Sequence, residues 1–145
     1  MLTAVPDQLS AESGSTAPRA CPSWWPWSYR IAGPASRWPA VEVYEAGGLL
    51  DVVTCTRLAA QLLRGGRAVR TGDGGRAFAW GRLPLSGGTL SVEFSRGLVR
   101  KSRIDVPVIE ATTWCWLAVA DGPYDTVTVR CGEVGFRSRL RASRP

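Results

Sequence analysis

The stretch TTWCWLAV, residues 112–119, is apolar at every position from Trp114 to Val119. Successive side chains of a strand point to opposite faces, and a strand bordering water shows one polar face. This stretch has none, so it reads as a central, buried strand. Trp114 and Trp116 fall on one face, opposite Thr113, Cys115, Leu117 and Val119. After it, ADGPYD supplies turn residues and TVTVRC alternates again, which together predict a closing hairpin. A turn through Gly122-Pro123-Tyr124 sets Asp121 opposite Asp125 and, counting back, Cys115 opposite Cys131. That pair reads as two small hydrophobes of one core layer rather than as a disulfide.

Upstream, TLSVEFSR (89–96) is the cleanest alternation in the chain, with Leu90, Val92 and Phe94 on one face. Residues 104–109 follow as an edge strand, because Pro107 cannot donate to a ladder. RAVRT, the turn GDGG and RAFAWGR (67–82) predict another hairpin in which Phe78 and Trp80 share a core face. Val41–Tyr44, the turn at Gly47-Gly48 and LLDVVTC predict a first hairpin. Between these, TRLAAQLLRGG (56–66) carries Leu58, Ala59, Leu62 and Leu63 as an apolar stripe. With Thr54 or Thr56 to cap it and Gly65-Gly66 to stop it, this is a short helix.

CPSWWPWSYR (21–30) opens a Trp/Pro-rich arm, residues 21–40, in which Pro22, Pro26, Pro34 and Pro39 exclude helix and central strand. A core strap is favoured over a dedicated binding site for its indoles. Residues 1–20 read as a disordered leader, and RSRLRASRP (137–145) as a basic tail with a frayed end. The fold class expected is therefore α+β: a curved antiparallel sheet or small β-barrel of six to eight strands over residues 41–136, packed with one short helix.

Net charge is +6 and unevenly spread. Residues 56–104 hold ten basic groups against Asp73 and Glu93, net +8, and the last nine residues add +4. Residues 1–55 are net −2 and residues 105–136 net −4. Such a basic centre attracts polyanions, nucleic acid first and anionic membrane surface second. Seventeen of the 18 basic residues are Arg and there is no His or Asn, a usage that points to a GC-rich genome.

Without His, the usual base of triads and dyads is missing. Lys101 and Ser102 are adjacent and so point apart, and the glycines at 72, 74 and 75 lack the Lys-Ser/Thr of a phosphate-binding loop. The four cysteines lie 34, 60 and 16 positions apart, without paired metal-ligand spacing. No enzyme activity, metal or cofactor is expected, and no stretch matches a family signature. The lack of a signal sequence or an 18-residue apolar span predicts a cytoplasmic chain.

The expected function is a non-enzymatic accessory protein that binds DNA, in the maintenance, transfer (conjugation) or spread of a plasmid or mobile element. Arg67, Arg70 and Arg76 at one turn, with Arg96, Arg100, Lys101 and Arg103 at another, are the candidate phosphate contacts. The alternatives are a protein-interaction module docking through Trp24, Trp25 and Trp27, or a peripheral membrane-surface protein.

Overall fold

The computed structural model describes residues 26–33, 37–55, 61–72, 74–97 and 102–143, which form twelve strands in three sheets. A three-stranded antiparallel sheet holds β1 (Trp27–Ala32), β2 (Ala40–Glu45) and β3 (Gly48–Thr54) in that order. The central five-stranded sheet uses β4 (Gly65–Val69), β5 (Arg76–Arg82), β8 (Ile109–Glu110), β9 (Cys115–Asp121) and β12 (Arg141–Ala142), in the order β12-β4-β5-β9-β8. The four-stranded sheet uses β6 (Leu90–Arg96), β7 (Ser102–Val106), β10 (Thr126–Cys131) and β11 (Val134–Arg139), in the order β11-β10-β6-β7. Every pairing is antiparallel except β12 with β4.

The layering follows from which strands are apolar on both sides. In β5, Ala77 and Ala79 face one core while Phe78 and Trp80 face the other; in β9, Trp116, Ala118 and Ala120 oppose Cys115 and Leu117. The central sheet is thus covered twice. Its alanine-rich side takes Val92 and Phe94 of β6 with Val127 and Val129 of β10. Its aromatic side takes Trp27, Val41, Val43 and Val53 of the three-stranded sheet. Small residues on one surface facing larger ones on the other let the layers interdigitate without voids.

Two carboxylates fasten the three-stranded sheet to the centre. Asp51 of β3 accepts from Trp80 Nε1 at 2.8 Å and is clamped by Arg64 through two bonds of 2.7 Å. Glu45 of β2 accepts from Trp27 Nε1 at 3.1 Å and from the Ser143 hydroxyl, and lies 4.0 Å from Arg67.

The first two hairpins and the alternation of β6 agree with the sequence reading, whereas the edge strand read over 104–109 is split around Pro107 into β7, at the edge of the four-stranded sheet, and β8, at the edge of the central one. The α+β class does not hold. The protein is all-β among the described residues, with no helix, and its sheets do not close into a barrel. Of the expected helix, residues 56–60 lie outside the described residues. Residues 61–64 form an irregular stretch and Gly65-Gly66 open β4, with the backbone committed elsewhere: Gln61 O accepts from Arg82 N at 3.1 Å, and Arg64 N donates to Trp80 O at 2.9 Å. Leu62 O accepts from Trp116 Nε1 at 2.8 Å. Leu62 and Leu63 reach the core from this β-like path, so their helical spacing is incidental.

The closing hairpin does not form either. β9 pairs with β5 and β8, β10 with β6 and β11, and the two lie in different sheets. A strand apolar on both faces suits the middle layer, whereas β10, with Val127 and Val129 inward and Thr128 and Arg130 outward, suits an outer one. Cys115 therefore sits opposite Arg82, and Cys131 opposite Leu90 and Val134. Trp114 belongs to bends ahead of β9 and packs on the aromatic side, away from Trp116. The prolines of the arm do leave room for an edge strand, which is what β1 is.

Candidate anion-binding surface

The two basic turns of the sequence reading lie at one end of the molecule. Residues 122–125 join them: Gly122 N donates to Gly75 O at 2.7 Å, Asp125 N to Ser95 O at 3.0 Å, and Gly97 N to the Asp125 carboxylate at 3.4 Å. Arg70 and Arg96 are exposed there. Arg76 starts β5 and pairs with Asp121 at 3.1 Å, so this end is mixed in charge rather than uniformly basic. Arg67 sits further along β4, half-buried, its guanidinium 5.9 Å from the Trp80 ring. Arg100 and Lys101 fall outside the described residues, as do Trp24 and Trp25. Trp27 is a core residue, 2% exposed and stacked on Phe78 at 5.2 Å.

Arg103 leads to a different surface, the face of the four-stranded sheet turned away from the core. Residues directly opposite one another on antiparallel strands share a face. One row across the sheet is Arg139, Thr126, Ser95 and Arg103; the next is Arg137, Thr128, Glu93 and Asp105. Arg130 opposite Ser91 belongs to the following row. Arg103, Arg130 and Arg137 thus stand with the half-buried Thr128 against Glu93 and Asp105, net +1, while Ser95 and Thr126 are buried and Arg139 lines the cleft between the sheets. The nearest opposite pair, Arg103 with Glu93, is 3.9 Å apart. A depression of about 290 Å³ opens between Arg103, Arg130, Arg137, Thr128 and Phe136. Phe136, 47% exposed, stands opposite the inward-facing Val129, so its ring belongs to the other face of β11.

This surface was only partly visible in the sequence. Arg137, Arg139 and Arg141 stand at period two, but they belong to β11 and β12 rather than to a frayed end. Leu140 N bonds Asp125 O at 2.8 Å and Ser143 N bonds Ala68 O at 2.8 Å, which ties the stretch to both sheets. Arg130 was not singled out; the Thr-Val alternation ahead of it is the signal that puts it on the outer face.

Elsewhere the polar groups serve the fold. Burial pushes the Asp51 carboxyl up, but the bonds from Arg64 and Trp80 outweigh it and hold the group below the usual carboxylate range. The Tyr44 hydroxyl and Arg30 likewise hold Glu42 low. Burial, with Asp51 nearby, pushes the Cys115 thiol up to about 12, too high for a nucleophile. Among the described residues no three His, Cys, Asp or Glu side chains gather as metal ligands, and no helix is long and apolar enough to cross a membrane. No protein-family model, curated protein or solved structure matches the chain.

Proposed function

We propose that this chain is a non-enzymatic module that binds a polyanion, DNA foremost, across the outer face of its four-stranded sheet. The observation that carries the reading is the depression where Arg103, Arg130 and Arg137 surround Thr128, with Glu93 as the one carboxylate in its lining. Arginines on three strands of one sheet, β7, β10 and β11, present several cations to one polyanion, which is what sequence-independent phosphate binding requires. An accessory role in plasmid or mobile-element maintenance, transfer or spread rests on the Arg-rich, Lys-poor usage and small size alone. Binding of labelled single- and double-stranded DNA over a salt series tests the proposal. Single-strand affinity should fall as salt rises, with a log–log slope of about −2 to −3 for three or four phosphates.

A second reading, a protein-interaction module, has one specific observation in its favour. It is an apolar groove of about 320 Å³ between Leu62, Leu83, Pro84, Leu85, Cys131 and Val134, with Leu85 68% and Val134 54% exposed. Loss of a captured partner on replacing Leu85 and Val134 by Ser, with DNA binding unchanged, would favour it.

A further inference from the structure

We infer that the molecule has a second, discrete anion site, a cleft that takes a single phosphomonoester dianion. The cleft, about 270 Å³, lies where the three sheets meet and is lined by Asp51, Arg64, Arg67, Trp80, Arg139 and Arg141. Arg64 spends Nε and one terminal nitrogen on Asp51, which answers that carboxylate. Glu45, at 4.0 Å from Arg67, already accepts from Trp27 and Ser143. Arg139 and Arg141 have no carboxylate within ion-pair distance among the described residues. Four guanidinium groups thus stand against two carboxylates whose bonding capacity is largely taken, a surplus of two positive charges around one opening.

The shape of the surplus selects the ligand. Guanidinium groups present paired N–H donors in a fork that matches two phosphoryl oxygens. Trp80 is 3% exposed, so the cleft offers no platform for a base and recognises the phosphoryl group itself. Arg141 is held over the cleft by the two-residue pairing of β12 with β4, flanked by the Leu140 and Ser143 anchors. Repulsion among the arginines therefore works against that pairing while the cleft is empty, and a bound dianion reverses it. Phosphate binding should stabilise the whole fold.

A phosphomonoester reaches such a cleft either as the terminal phosphate of a DNA strand or as a small phosphorylated molecule. Thermal unfolding of the full chain in inorganic phosphate, against chloride at equal ionic strength, is the test. At a hundred times its Kd, phosphate should raise the midpoint by about 5–10 °C. Arg141→Ala, a change at an exposed side chain, should remove that rise, and Arg139→Ala should reduce it. Arg103→Glu with Arg130→Glu, on the other surface, should leave it intact and so separates this site from the DNA-binding face. A larger rise with a 5′-phosphorylated trinucleotide than with its 5′-hydroxyl form assigns the strand end. An equal rise for both, alongside the phosphate effect, assigns the small molecule. A midpoint that tracks ionic strength alone, or a rise that survives Arg141→Ala, overturns the inference.

Discussion

The Trp80 indole N–H of the central sheet donates to the Asp51 carboxylate of the three-stranded sheet at 2.8 Å, inside the aromatic side of the core. Arg64 closes the same carboxylate from the other side. One acid thereby satisfies an indole and a guanidinium that packing has largely withdrawn from water.

Asp51→Ala leaves both donors without their acceptor and should cost about 2–4 kcal/mol in chemical denaturation. The pH dependence has a definite sign. The folded pKa of Asp51 lies below its unfolded value of about 4, so its contribution is full above that value and is lost as pH falls through the folded pKa. Glu42 is lowered in the same direction, by the Tyr44 hydroxyl and Arg30, so its contribution is likewise lost as pH falls. Asp51→Asn should therefore flatten the acid limb of the stability curve only in part, with the remainder belonging to Glu42→Gln.

Gly81 sits where Leu62 O passes over β5 to meet Trp116 Nε1, and a Cβ there would overlap that carbonyl. Gly81→Ala must push Leu62 away and break the indole bond. A loss of more than about 3 kcal/mol is expected, read as a collapse of the unfolding midpoint.

The hairpin between β2 and β3 turns on Ala46 and Gly47, both at positive φ (46° and 82°). That is the two-residue turn suited to strand twist, with the wrong residue in its first position. Ala46→Asn or Ala46→Gly should stabilise the chain by about 1 kcal/mol by relieving a left-handed alanine.

How far these features could be read from the chain depends on whether they are local. The hairpins at Gly47 and Gly74-Gly75, and the alternation of Leu90, Val92 and Phe94, are written within a dozen residues each, and they formed, with the first turn on Ala46-Gly47, one residue earlier than the Gly47-Gly48 read from the sequence. Sheet partition is not local. Nothing between Asp121 and Asp125 says that the chain leaves the central sheet there, and only the two-sided apolarity of β9 against the one-sided pattern of β10 hints at it. Leu62 and Leu63 show the same limit, since their spacing suits a helix while the partners that hold residues 61–64, the β5 backbone and the Trp116 indole, lie far along the chain. The arginines of β11 were legible as a period-two run. Their placement depended on Leu140 anchoring that run to the core, which no neighbouring residue announces.

Cys115 is fully buried with its thiol pushed up to about 12, whereas Cys131 is partly exposed. Brief alkylation at pH 8 should label Cys131 and spare Cys115 until the chain is unfolded. Mass mapping of the labelled peptides checks this, and early labelling of Cys115 would contradict the layering around β9.

The most direct measurement is fluorescence anisotropy of a labelled single-stranded oligonucleotide in low salt, comparing three chains. Reversing Arg130 and Arg137 to Glu on the outer face should weaken binding at least tenfold and reduce the salt slope by about 1–2. Reversing Arg70, exposed at the end of the central sheet, should change it no more than about twofold. Equal losses in both variants, or binding by the wild-type chain that is absent or insensitive to salt, would contradict a DNA-binding face on the four-stranded sheet.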